Sequence, residues 1–364
     1  MSPPAVFDML VVGSGGGPDE TNLSSYLLKR AGTAWEDGIM AVEAGSGPGA
    51  LNRLLRRNPK LFDKCYSAAD IYSFVRCYLL SHAHLDHING LVISAGSLSG
   101  PRKRVYGTKR ALQDLETVFS DRIWPNLASW DEDDDGYKLL YSIAYVNASY
   151  QSILPDISIQ TMPLNHGTNE SGVYESAAFF IRDDPSQREF IFFGDVEPDS
   201  LATIPRSIHV WRLAAPKIPD KVSTIFIECS WPLGRSNDSL YGHLNPEHFK
   251  NELLALATEV YNHRTGTKTG RSPKPQRKRQ KRNPVAMNDL KGVLTGLRVY
   301  VIHCKDELKS IDPDSRPMRE VILEQVTSLM EPLELGVEIL AAVPGMHIRP
   351  CFLIRSLSLF DLSV

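Results

Sequence analysis

Apolar and polar positions along this 364-residue chain change period many times. Short runs rich in β-branched and aromatic residues alternate with segments whose apolar positions recur every three or four residues, the pattern of an α/β or α+β domain. The runs predict strands over Met9–Val12, Ile39–Val42, Phe74–Leu80, Ile157–Met162, Ala177–Ile181, Phe190–Phe193, Thr224–Ile227 and Val299–Ile302. Helical spacing predicts helices over Ala50–Leu55, Thr108–Phe119, Pro246–Tyr261 and Met318–Met330. The third opens on a clear start signal. Asn245 can cap it, Pro246 takes the first position, where a missing N–H costs nothing, and Glu247 complements the dipole. No segment repeats another.

Two stretches fit neither pattern. The acidic run Asp131–Gly136 lacks the ligand spacing of a calcium loop and reads as solvated. Thr265–Pro284 is rich in Lys, Arg, Gly, Pro and Gln, cannot bury apolar surface and is expected to be disordered. It lies between a helix and a strand, so it reads as an insertion within a domain. Its Lys274–Arg282 segment is a candidate nuclear-import or anion-binding patch. The stretch Met346–Val364 is apolar without a clear period.

Composition narrows the class. With 42% hydrophobic and 23% charged residues, the chain is globular, neither fibrous nor disordered throughout. No apolar run approaches the roughly 18 residues of a membrane span, and the opening Met1–Asp8 has no basic region of a secretory signal. The five cysteines are odd in number, scattered and without a C-x-x-C pair. They read as reduced thiols of a cytoplasmic protein. Between Arg264 and Arg282 stand nine basic residues and no acid; removing them from the 40 leaves 31 against 43 acids, so the remainder carries −12. Such a body repels polyanions, which argues against a stable nucleic-acid partner.

The densest chemistry lies in Leu79–Gly90, which contains His82, His84, Asp86 and His87. With ten histidines in the chain, three at preset offsets arise by chance in roughly 0.7% of such sequences. The run before Ser81 reads as a buried strand, and on its extended exit His82 and His84 face the same way. The chain then turns, which lets Asp86 and His87 face a second ion. Imidazole and carboxylate are ligands for zinc, manganese or iron. Three imidazoles and a carboxylate crowded at a strand end would be costly to desolvate without a cation. Further candidates follow apolar strands: His166, Asp195 and His303, each where loops of α/β sheets gather into sites.

These residues carry a resemblance. H-x-H-x-D-H, a strand-end histidine, Gly194-Asp195 and a late His303 resemble the metallo-β-lactamase superfamily, an αββα sandwich with a two-metal site. More closely, Gly13–Pro18 with Asn22 and Ser24, His82–Leu91, Asn165-His166-Gly167, Gly194-Asp195 and Gly242-His243-Leu244 resemble the class II cyclic-nucleotide phosphodiesterases of fungi. The resemblance runs from about Phe7 to Gly345. It implies a single domain over residues 1–345, with a basic disordered insertion at 264–290 and a tail at 346–364 outside it. It implies His82, His84 and His166 on one ion, Asp86, His87 and His303 on the other, and Asp195 bridging. Two divalent cations, zinc foremost, would then offset the acidic body. A homodimer is compatible with the superfamily.

Ions about 3.5–4 Å apart share a water, lower its pKa and hold both oxygens of an in-line displacement. On a cyclic 3′,5′-phosphodiester, attack at phosphorus expels the 3′-oxygen and leaves a nucleoside 5′-monophosphate. The implied activity is hydrolysis of cAMP, and of cGMP with it, ending cAMP signalling. A departing alkoxide needs a proton donor. His243 is the candidate, because the superfamily's RNA-processing phosphodiesterases resemble Leu240–Asn245, with an acid on the preceding strand, here Glu228, orienting such a histidine. His248 reads as solvent-facing. The competing readings are an RNA-processing phosphodiesterase, a thioester or lactam hydrolase, or a cyclic-nucleotide-binding relative without turnover. RNA processing wants a basic face, and only the insertion is basic; the intact ligand set argues against lost turnover. Gly13–Gly17 with Glu43 downstream imitates a dinucleotide fingerprint, but Pro18 replaces its third glycine, and Asp19 and Glu20 would repel a pyrophosphate.

Overall fold

The computed structural model describes residues 5–146, 149–170, 172–266, 285–306, 308 and 316–350. The strands are β1 Phe7–Gly13, β2 Ser25–Arg30, β3 Ile39–Val42, β4 Val75–Leu79, β5 Lys103–Gly107, β6 Ala128–Ser129, β7 Leu139–Ile143, β8 Gln151–Leu154, β9 Ile157–Asn169, β10 Gly172–Asp183, β11 Arg188–Phe193, β12 Val222–Glu228, β13 Arg298–Ile302, β14 Glu338–Ala341 and β15 His347–Ile348. The helices are α1 Pro48–Arg57, α2 Ala68–Phe74, α3 Leu85–Ser94, α4 Lys109–Val118, α5 Ser207–Ala214, α6 Pro246–Arg264 and α7 Met318–Met330.

Two sheets lie face to face, with orders β15-β1-β2-β3-β4-β5-β7-β6 and β14-β13-β12-β11-β10-β9-β8. Alternation along single strands shows why. In β1, Phe7, Met9 and Val11 enter the core between the sheets, while Leu10 and Val12 enter the layer beneath the first set of helices. In β12, Phe226 faces the sheet interface and Ile225 and Ile227 face outward. Strands covered on both sides read as unbroken apolar runs. Outside the first sheet, Leu51 of α1, Ile71 of α2, Ile88 and Leu91 of α3 and Leu112 of α4 form one outer layer. Outside the second, Trp211 of α5, Phe249 and Leu253 of α6 and Ile322 of α7 form the other. The architecture is the single-domain αββα sandwich expected.

Several boundaries differ from the sequence reading, each for a physical reason. The run at Phe74 is split: Ser67 caps α2 through a reciprocal capping box with Asp70, and the strand starts only at Val75. The strand expected to end at Met162 continues to Asn169, so His166 lies within β9 instead of just past it. Pro163 is tolerated there because β8 pairs only with Ile157–Ile159, which leaves the proline on an open edge. No helix follows the Gly13–Gly17 segment; the chain returns directly into β2, antiparallel to β1. That removes the dinucleotide reading, which needs a helix start at the glycines. His347 and Ile348 pair with Leu10 and Met9, so the first sheet continues past Gly345. The asparagine cap on α6 is present, Asn245 accepting the His248 N–H at 3.0 Å. The Lys274–Arg282 patch and residues 351–364 lie outside the described residues. No described helix is long and apolar enough to cross a membrane.

Candidate metal centre

Parallel strands β3 and β4 of one sheet and β11, β12 and β13 of the other deliver the polar residues at their C-terminal ends. Glu43 follows β3, His82 follows β4, Asp195 follows β11, Glu228 ends β12 and His303 follows β13. His84 occupies the cap position of α3, whose first turn presents Asp86 and His87. His166 comes from the long β9. Two backbone positions are unusual: Glu43 and His303 both adopt left-handed φ, 57° and 59°. Non-glycine residues are held there when the surroundings over-determine them, as at functional sites. Two residues after Glu43 the backbone passes close to α3, where a Cβ on Gly45 would lie 1.8 Å from the Asp86 carbonyl oxygen.

The side chains converge into two groups that share one carboxylate. Ligand atoms of His82, His84, His166 and Asp195 lie within 4.8 Å of one another, as do those of Asp86, His87, His303 and Asp195. Asp195 Oδ2 faces His82 Nε2 at 3.6 Å and His166 Nε2 at 3.5 Å. Its Oδ1 faces His87 Nε2 at 3.3 Å and His303 Nε2 at 3.4 Å. All seven residues nominated as ligands from the sequence are therefore together, in the two sets anticipated, with the aspartate between them.

The outer nitrogens of the rings are held by a surrounding layer. His166 Nδ1 donates to the Gly242 carbonyl at 2.9 Å, a partner that can only accept, so its Nε2 turns a lone pair inward. His82 Nδ1 meets Ser81 Oγ at 2.9 Å, and His303 Nδ1 meets Ser230 Oγ at 3.0 Å. His87 Nδ1 lies 3.3 Å from Glu43 Oε2 but is not aligned for a hydrogen bond. Such outer contacts fix the tautomer of metal-ligating histidines. Ser81 and Ser230 carry no signal in the sequence, because hydroxyls at strand ends are common, and Glu43 stands there only as the acid of an apparent dinucleotide fingerprint.

This donor set fits cations. His82 Nε2 and Asp195 Oδ2 are buried and have no hydrogen-bond partner. His166 Nε2 stands 3.1 Å from His84 Nδ1, and His87 Nε2 stands 3.1 Å from His303 Nε2. His303 Nε2 also faces Asp86 Oδ2 at 3.1 Å. Lone pairs crowded this closely away from water repel unless a positive charge sits among them. Burial pushes the His82 imidazole well down and the His166 imidazole down to about 3, so both stay neutral and able to ligate. Divalent cations also balance the carboxylates of Asp86, Asp195 and Glu43.

His243 lies beside the cage, its ring centroid 4.8 Å from that of His166 and 5.3 Å from that of His303. Its Nδ1 is 3.0 Å from Glu228 Oε1. Burial, then the charge of Asp195, raises the Glu228 carboxyl. Burial also pushes the His243 imidazole down, to about 3, so the ring is neutral; with the Glu228 carboxyl protonated, its O–H donates to Nδ1 and the ring carries its own proton on Nε2. His243, Glu228 and His303 form a third grouping compact enough for an ion, though the Nδ1–carboxylate contact already occupies the facing atoms. His248, read as solvent-facing, is instead buried and bonds Asn237 Oδ1 at 3.0 Å through Nε2. It tethers the loop before α6 and takes no part in the cage.

The chain is similar to several known proteins. The family described as cAMP phosphodiesterases class-II matches residues 64–345. The chain is 31% identical to a 3′,5′-cyclic-nucleotide phosphodiesterase of Schizosaccharomyces pombe, covering 91% of this chain and 89% of that protein. The crystal structure of unliganded yeast PDE1 is similar with a TM-score of 0.76 and 25% identity, over 94% of this chain and 99% of the other. The metallo-β-lactamase fold protein YhfI of Bacillus subtilis, at 14% identity and a TM-score of 0.52, covers 94% of this chain and 98% of its own and shares the fold.

Proposed function

Because the chain belongs to the class-II cAMP phosphodiesterase family, and is on that ground a 3′,5′-cyclic-nucleotide phosphodiesterase, we propose that the histidine–aspartate cage is its active site and holds two zinc ions. The division of the Asp195 carboxylate between two ligand groups carries this reading. His82, His84 and His166 would hold one ion, Asp86, His87 and His303 the other, with Asp195 shared. Bound there, divalent cations supply the positive charge that activates a water and stabilises the phosphate's developing charge.

The chain's own residues do the rest. Gly242, Ser81 and Ser230 lock the ring orientations, so the inner nitrogens need no reorganisation during the reaction. Glu228 fixes His243 through Nδ1, and His243 presents a proton at Nε2. As the 3′ P–O bond of cAMP or cGMP breaks, that proton passes to the 3′-oxygen, and the product is the nucleoside 5′-monophosphate. Proton donation of this kind contributes about 10²–10⁴ in rate.

Turnover of cAMP, cGMP and a 3′-extended RNA, each with and without chelator, tests the reading. Both cyclic nucleotides should yield 5′-monophosphates in a chelator-sensitive reaction while the RNA stays intact. RNA trimming faster than cAMP hydrolysis, or turnover indifferent to chelator, contradicts it.

A further inference from the structure

The cage is closed on one side and open on the other. His87 and His303 are buried, whereas His84 is exposed. From His84 and His166 a cavity of about 580 Å³ runs outward, bounded by the end of β9, the start of β10 and the loop reaching Gly242. That volume is in the range of sites for small organic ligands.

Two aromatic rings border this cavity, and they differ in status. Tyr174 is already engaged, stacked on His84 with centroids 4.4 Å apart and planes within 5°. Tyr241 is 70% exposed and makes no side-chain hydrogen bond or ring contact among the described residues. Its backbone is left-handed, at φ 53°, followed by Gly242 at 77°. A bulky residue in that region is a conformational outlier. The double left-handed step turns His243 in toward Glu228 and leaves Tyr241 on the cavity wall. An exposed ring, held at a conformational cost beside the place where a phosphate would bind, calls for a flat apolar ligand group.

We infer that Tyr241 is the platform on which the substrate's purine stacks, and that it makes the site prefer a nucleoside cyclic phosphate to a phosphodiester without a base. The inference rests on the cyclic-nucleotide reading above and adds the residue that senses the base. Stacking is indifferent to which purine is present, so adenine and guanine both benefit.

Steady-state kinetics of Tyr241→Gly, Tyr241→Ala and Tyr241→Phe test this on cAMP, on cGMP and on 1-deoxyribose 3′,5′-cyclic phosphate, the same cyclic diester without a base or any other flat ring. Tyr241→Gly removes the ring and also relieves the left-handed strain, so a loss in that variant does not come from misfolding. The Gly and Ala variants should raise KM for both cyclic nucleotides about ten- to a hundredfold, the span of single base–aromatic stacks. Their kcat should stay within about threefold, and the KM of the diester without a base within about twofold. Tyr241→Phe should restore the wild-type KM. An unchanged KM for cAMP in the Gly variant, or equal losses on both kinds of substrate, overturns the inference while leaving the activity itself intact. Wild-type protein that cleaves neither cyclic nucleotide overturns the underlying reading, and the inference with it.

Discussion

Gly16 sits against the imidazole of His303, and changing it to alanine perturbs one half of the cage without replacing a ligand. A Cβ there would lie 2.1 Å from both Cε1 and Nε2 of that ring and 2.5 Å from Cδ2. Ordinary contact begins near 3.4 Å, so ring or loop must move by more than 1 Å. Neither moves freely. The ring is held by Ser230 at 3.0 Å, and the His303 N–H donates to the Ser14 carbonyl at 2.6 Å. The loop is held by Lys305, whose Nζ donates to the Gly16 carbonyl at 2.6 Å. A misplacement of about 1 Å costs on the order of 10²-fold in rate, or about 3 kcal/mol of transition-state stabilisation. Gly16→Ala should therefore lower kcat/KM for cAMP about a hundredfold and weaken the ion at Asp86, His87 and His303, while the ion at His82, His84 and His166 remains. The assay pairs initial rates with metal content by elemental mass spectrometry. Gly49→Ala is the control, since nothing lies within 4 Å of its added Cβ, and it should keep both quantities. Full metal content with turnover within about twofold of wild type in Gly16→Ala would refute this reasoning.

Three further outcomes follow from the same contacts. His243→Ala should lower kcat by about 10²–10⁴ with metal content unchanged; a near-normal kcat removes His243 as the proton donor. Glu43→Gln, which alters the group behind His87, should weaken metal binding about 10- to 100-fold in a chelator titration, and unchanged affinity would show that Glu43 does not orient the ring. Away from the site, burial pushes the Glu252 carboxyl up to about 7, from 4.5. Between these values the folded protein holds a proton that the unfolded chain has lost, so this group's contribution to stability falls as pH rises from about 4.5 to 7, by roughly 3 kcal/mol in all. Denaturant titrations should show wild type losing stability relative to Glu252→Gln over that window, and a constant difference would contradict it.

What the sequence made legible follows from how each signal is encoded. β1, β3 and β12 bury both faces, so their apolar runs stand out. β5 was missed because it opens with Lys103 and Arg104. Lys103 is nevertheless buried, its ammonium donating to the Val75 carbonyl at 2.8 Å, a contact between distant segments that no local pattern reveals. The α2–β4 junction was misread because helix and strand share one apolar run, and only the Ser67–Asp70 cap marks the change. The ligands were legible because imidazoles and carboxylates at strand ends are scarce and regularly placed. Their supports were not: Ser81, Ser230 and the Gly242 carbonyl are ordinary groups until the fold brings them to a ring nitrogen. Glu43 was seen only as the acid of a dinucleotide fingerprint, and its place behind His87 gives it a different use.

Elemental analysis of freshly purified, fully active protein, coupled to chelation and metal add-back, bears most directly on the paired-cation cage around Asp195. About two equivalents of a transition metal per chain, loss of turnover as they are withdrawn and recovery as zinc is restored are expected. Full turnover of cAMP by protein carrying less than about a tenth of an equivalent would contradict it.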